Sequence, residues 1–153
     1  MQHADNEYNE NRLFNGLNGQ SLISPFYSER PLFEPKIRLG ILASGKGSNF
    51  EYIFKSIQNK KLNAEISVLI VNNPNCLAIN KAKKYKIPYV IINHRDCNSR
   101  LDHDKLVMEK LDELSVELVV MAGWMRIVGE EIINRFESRL INIHPSLLPS
   151  FKG

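Results

Sequence analysis

A chain of 153 residues with 43% apolar and 24% charged residues has the make-up of one soluble folding unit, able to bury roughly 68–70% of its unfolded surface. Its longest apolar runs, Ile66 to Val71 and Leu118 to Met125, fall far short of the roughly 20 residues of a membrane helix, and Asp5, Glu7 and Glu10 stand where a secretory leader would be basic, so a cytoplasmic protein without membrane association is expected. The net charge of +3 hides an acidic start, three Lys/Arg against five Asp/Glu in residues 1–36, and a mildly basic remainder, 17 against 12, which suits small anionic ligands and lacks the clustered cations of a nucleic-acid binder.

Residues 1–36 carry scattered asparagines and no sustained hydrophobic period, as expected of a disordered or loosely attached N-terminal extension. A regular alternation begins at residue 37. Ile37 to Ala43 reads as a strand that runs into the loop Ser44-Gly45-Lys46-Gly47-Ser48-Asn49. Phe50, Ile53, Phe54 and Ile57 then recur at helical spacing. Ile66 to Val71 is a second strand ended by Asn72-Asn73-Pro74, and Leu77, Ala78, Ala82 and Tyr85 mark a second helix. Its Lys81, Lys83, Lys84 and Lys86 read as a solvated basic face. Tyr89 to Ile92 is a third strand, and Ser99 caps a third helix whose apolar side is Val107, Leu111 and Leu114. Leu118 to Ala122, Glu130 to Glu137 and Leu140 to Ile143 follow as strand, short helix and strand. Cys76 and Cys97 lack CxxC spacing, so neither a disulfide framework nor a structural metal site is expected.

Strands and helices in alternation imply βαβ units: an α/β, Rossmann-like, mostly parallel sheet with helices on both faces. Ligands of such sheets sit beyond the carboxyl ends of the strands, which directs attention to the loops starting at Ser44, Asn72, Asn93, Gly123 and His144. In the first, Gly45 and Gly47 let the backbone approach an anion while Ser48 and Asn49 open a helix. It is not a P-loop, because Lys46 lies between the glycines. It is not a dinucleotide fingerprint either, because Phe50 stands at the third small position and asparagines follow the second strand. A single-phosphate cradle and a tight ligand-free turn both fit. Asn142 and His144, two apart on a strand, share a face; an oxyanion donor with a proton carrier is one reading, and a buried histidine with a turn asparagine is the other. Gly123-Trp124-Met125-Arg126-Ile127-Val128 is either a wall for a flat heteroaromatic group or ordinary packing around Trp124. Arg100 alone is an anion contact or a surface residue.

Taken together, Ser44 to Asn49, Ala122 to Val128 and Asn142-Ile143-His144-Pro145-Ser146-Leu147-Leu148-Pro149 resemble the phosphoribosylglycinamide formyltransferases, a folate-dependent family, over residues 37–153. The resemblance implies that Gly47, Ser48 and Asn49 hold the ribonucleotide phosphate and that Arg100, Met125, Arg126, Ile127, Val128 and Asn142 contact the folate. It further implies that His144 is the catalytic histidine, acting with Asn142. The co-substrates would be 10-formyltetrahydrofolate and phosphoribosylglycinamide, with no metal, in a monomer or homodimer. Two other folate enzymes are less similar. Methionyl-tRNA formyltransferases share the Asn-x-His segment but lack the Ser-Gly-x-Gly-Ser-Asn loop, and formyltetrahydrofolate hydrolases carry His at the position of Pro145. A non-catalytic phosphosugar- or nucleotide-binding module, in which Asn142 and His144 play no part, is the alternative from another class. Family members continue past the position of Gly153 and supply a catalytic aspartate there, so residues 37–153 correspond to the N-terminal part of the domain. Little or no transferase activity is expected of residues 1–153 alone, and an unpaired fifth strand is expected to lower solubility.

Overall fold

The computed structural model describes residues 35–142. Its five strands, β1 (Ile37–Ala43), β2 (Ala64–Val71), β3 (Tyr89–Ile91), β4 (Leu118–Met121) and β5 (Leu140–Asn142), form one sheet in the order β3-β2-β1-β4-β5. Every neighbouring pair is parallel. The helices α1 (Ser48–Gln58), α2 (Ala78–Tyr85), α3 (Arg100–Glu113) and α4 (Glu130–Arg135) lie between successive strands, as a parallel sheet requires. The α/β, Rossmann-like expectation therefore holds. Among the described residues no helix is long and apolar enough to cross a membrane. The expected N-terminal extension lies outside them up to residue 34, as do Ile143, His144 and the residues after it.

Two apolar clusters sandwich the sheet. Ile41 and Ala43 of β1, with Leu69 and Val71 of β2, pack against Phe50 of α1 and Ala78, Ile79 and Ala82 of α2. Leu42, Val68, Ile70 and Val119 face the other way, against Val107 and Leu111 of α3 and Ile132 of α4. Such face-switching along β1 is the period-two rule of a strand. In β2 the rule is interrupted: Leu39 pairs with Ile66 but Gly40 with Val68, so Ser67 is an extra residue. This bulge puts Ile66 in the same cluster as Leu69 and Val71 despite its opposite parity.

The helix boundaries agree with the sequence to within two residues, with one reassignment of a buried face. Leu77, expected on the apolar stripe of the second helix, is its N-cap and 54% exposed, while Ile79 is buried in its place. A chain reversing out of Pro74-Asn75 makes a turn, with Asn75 N–H donating to Asn73 Oδ1 and Cys76 N–H to Asn73 O. The helical phase starts only after it. Ser99 caps α3 as expected, its hydroxyl accepting from Asp102 N at 3.1 Å.

Gly40 sits where α3 and the residues after it come closest to β1: a Cβ there would lie 2.5 Å from Leu111 Cδ2 and 3.0 Å from Val116 Cγ1. Both side chains are buried, so Gly40→Ala is expected to destabilise by about 1–3 kcal/mol through overpacking, read as a lower urea midpoint at unchanged m value. On the other face α1 and α2 are joined by charge. The Glu51 carboxylate accepts from Lys81 Nζ at 2.6 Å, Tyr85 Oη at 2.5 Å and Lys55 Nζ at 3.1 Å. These partners, Lys81 foremost, hold its pKa down from the ordinary 4.5 to about 2. A depressed carboxylate contributes stability that is complete above its unfolded pKa and is lost as pH falls through the folded one. Glu51→Gln should therefore flatten the dependence of Tm on pH between about 4.5 and 2, and an unchanged slope in thermal unfolding would show that the brace carries no stability.

Candidate functional site

The strand order makes the crevice. β1 is followed by a crossover to β2 on one side, while β4 lies on its other side, so the loops leaving β1 and β4 diverge from adjacent strand ends, as at a topological switch point.

The loop after β1 is shaped by glycine at one position above all. Gly47 has φ 67° and ψ 32°, a left-handed conformation, and a Cβ on it would lie 2.6 Å from Ala78 Cβ and 2.9 Å from Ala78 Cα. Both backbone conformation and space exclude a side chain there. The loop is braced from α2: Gly45 O accepts from Ala78 N at 3.2 Å and from Cys76 Sγ at 2.9 Å, and Gly47 O from Lys81 Nζ at 3.3 Å. No side chain caps α1. Ser48 and Asn49 are exposed at its first turn, where unpaired N–H groups and the helix dipole favour an anion.

The second segment runs from Ala122 to Gly129. Ser44 ties it to the first: Ser44 N donates to Gly123 O at 3.0 Å, and Met125 N donates to Ser44 Oγ at 2.9 Å. Trp124 is buried, whereas Met125 and Ile127 stand 83% and 75% exposed. Exposed apolar side chains on a pinned backbone form a ready wall for a flat ligand. Between them Arg126 has a buried Nε without an acceptor among the described residues, a donor that a ligand or a further segment would satisfy.

Asn142 ends β5 and pairs with Met121, which places it beside the start of the second segment, exposed at the carboxyl edge of the sheet. Arg100 is the first residue of α3 and is exposed. It shares a helix face with Asp104, four residues on, and the Asp104 carboxylate accepts from Gly129 N at 2.8 Å. The expected phosphate residues thus share one loop, and of the expected folate residues Met125 to Val128 lie in the second segment and Asn142 beside its start, whereas Arg100 stands apart on α3. His144 lies outside the described residues.

Sequence reasoning missed Ser44 as the link between the loops, and it missed His103 and Asp104, both buried. Their signal was available: His103, Val107, Leu111 and Leu114 fall on one helical stripe, so a histidine occupies a core-facing position.

A family model described as formyl transferase matches residues 37–153. Among curated proteins the chain is 39% identical over 118 residues to the trifunctional purine biosynthetic protein adenosine-3 of Gallus gallus, covering 77% of the chain and 12% of that protein. It is 35% identical over 138 residues to the Homo sapiens protein of the same name, covering 90% and 14%. The solved phosphoribosylglycinamide formyltransferase of Bacillus halodurans superposes with a TM-score of 0.72 at 36% identity, over 76% of this chain and 60% of that one. Glycinamide ribonucleotide transformylase 1 of Symbiobacterium toebii gives 0.74 at 30% identity, over 83% and 61%. The chain thus spans about an eighth of the length of the curated relatives and about three fifths of the solved ones. Motifs, strand order and the family match agree, and the chain belongs to the formyl transferase family.

Proposed function

We propose that this chain binds phosphoribosylglycinamide through the Gly47-Ser48-Asn49 loop and 10-formyltetrahydrofolate through Arg100, Asn142 and Met125 to Val128, and belongs to an enzyme that moves the formyl group onto the glycinamide amine in cytoplasmic purine biosynthesis. The observation that carries this reading is Ser44, whose backbone and hydroxyl bond the second segment while the uncapped α1 opens four residues later. An anion site and an apolar wall are thereby held side by side. The residues present fit a folate ring: exposed Met125 and Ile127 offer faces, and Arg126 Nε offers an unused donor.

When bound, formyl-folate supplies an activated one-carbon group. Each side chain then has one task. The phosphate loop fixes the ribonucleotide so that its amine meets the formyl carbon, which converts an encounter into a positioned reaction. The Asn142 amide donates to the oxygen on which negative charge develops, and protonated His144 steadies the same oxygen and carries a proton toward the departing nitrogen. No step in this scheme calls for a metal.

Binding is the first test, because it rests on the residues described. In the 153-residue chain Gly47→Ala should weaken ribose 5-phosphate, measured by calorimetry, by at least about tenfold, since the substitution strains a left-handed position and pushes α2 away from the loop. Equal affinity in a folded variant would sink the phosphate reading. Catalysis is tested in a chain extended by the downstream segment of a solved relative. There His144→Ala should lower formyl transfer by about 100-fold or more while leaving ribonucleotide affinity within about twofold. Retained transfer would remove His144 from the mechanism, and absence of transfer in the extended, unsubstituted chain with ribonucleotide still bound would favour the non-catalytic binding module.

A further inference from the structure

The 122–129 segment is gripped at both ends, and only one grip belongs to the phosphate loop. Ser44 holds the beginning. The far end is held from α3 by a buried polar pair that the scheme above leaves unused. Asp104 Oδ2 accepts from Gly129 N at 2.8 Å, and its other oxygen lies 3.4 Å from His103 Nδ1. The opposite ring nitrogen, His103 Nε2, meets Ile92 O at 3.1 Å; a carbonyl only accepts, so Nε2 donates there, and the Nδ1–carboxylate contact is a hydrogen bond only with a second hydrogen, on Nδ1 or on Asp104. The imidazole is fully buried and stacks on Trp124 with centroids 5.9 Å apart at an interplanar angle of 28°. Four contacts therefore link the residue after β3 to the second segment: Ile92 carbonyl to ring, ring to carboxylate, ring to indole, and carboxylate to Gly129. Two polar side chains in an apolar core are costly unless they are satisfied, and here their bonds converge on the backbone that presents Met125 to Val128.

We propose that Asp104 and His103 are positioning residues for folate, fixing the Gly129 amide and the Trp124 ring so that Met125 to Val128 present one conformation to the ligand. The proposal rests on the folate reading of that segment. It touches no reacting atom and predicts a selective defect: the folate side loosens while the phosphate loop, braced separately from α2 through Gly45 and Gly47, does not.

The test uses the 153-residue chain, with 5-formyltetrahydrofolate and ribose 5-phosphate as probes. Asp104→Ala should weaken 5-formyltetrahydrofolate by about tenfold or more, leave ribose 5-phosphate within about twofold, and speed hydrogen exchange at the Gly129 amide by about tenfold. Trp124 is the only tryptophan, so its emission should shift to the red without any ligand. Asp104→Asn keeps an acceptor for Gly129 and should restore folate affinity to within about threefold of the unsubstituted chain. Gly129→Ala approaches the contact from the other side, since its Cβ would lie 2.8 Å from Asp104 Oδ2; it keeps both polar side chains and should reproduce the selective loss even if the Ala variant at 104 fails to fold. The proposal is overturned if both ligands weaken together, if folate affinity is unmoved while Gly129 exchange quickens, or if Asn does not restore binding. Should the unsubstituted chain bind no 5-formyltetrahydrofolate, the folate reading falls. Exchange and emission then decide the positioning claim, and unchanged values in both variants overturn it.

Discussion

The carboxyl end of β1 is the point from which the rest of the site is built. β1 is the middle strand, with β2 on one side and β4 on the other, and Ser44 is the first residue beyond it. Its two hydrogen bonds, from backbone N to Gly123 O and from Met125 N to its hydroxyl, are individually modest at about 0.5–1.5 kcal/mol each. Their weight is geometric. They tie the loops after β1 and β4 to one another, so the proposed anion site and the exposed apolar side chains share one surface.

That surface combines a stiff backbone with exposed side chains. Gly47 is locked by its contact with Ala78, and the Gly45 and Gly47 carbonyls are occupied by Ala78, Cys76 and Lys81, while helix geometry leaves the first-turn amides of α1 without intrahelical acceptors. Met125 and Ile127 project from a segment whose ends are tied down. Binding to such a surface costs little ordering entropy, the term that otherwise consumes much of an interaction's gain.

Most of the architecture was legible because its signals are local. Phe50, Ile53, Phe54 and Ile57 announce α1 by spacing, and the Ser99 cap announces α3. The loops could be placed because parallel sheets put ligands at one end. What was not legible depended on contacts distant in sequence or on patterns that composition disguises. Ser67 lies inside an apolar run with no alternation to disturb, so its bulge leaves no trace in the sequence. Leu77 and Ile79 differ in burial because a turn delays the helix, and hydrophobicity alone does not set that phase. His103 falls on the stripe of Val107 and Leu111, but Asp104 sits between His103 and Lys105 in a charged stretch, and its burial makes sense only through Gly129, 25 residues on. The link through Ser44 spans 81 residues, beyond the reach of any periodicity.

The same span has a kinetic meaning. β1 meets β2 after one short crossover, but it meets β4 only when about half the chain has been drawn together, with Leu39 opposite Leu118. Contacts of such separation are entropically late, because the loop must close before they repay it. A half-assembled sheet containing β1, β2 and β3 would already possess α1 and its glycine turn, yet would have no second wall. On the proposed function, the phosphate loop would therefore form with a local unit and the folate wall only when β4 pairs with β1, and a ligand that spans both would stabilise the finished topology against every intermediate that precedes it.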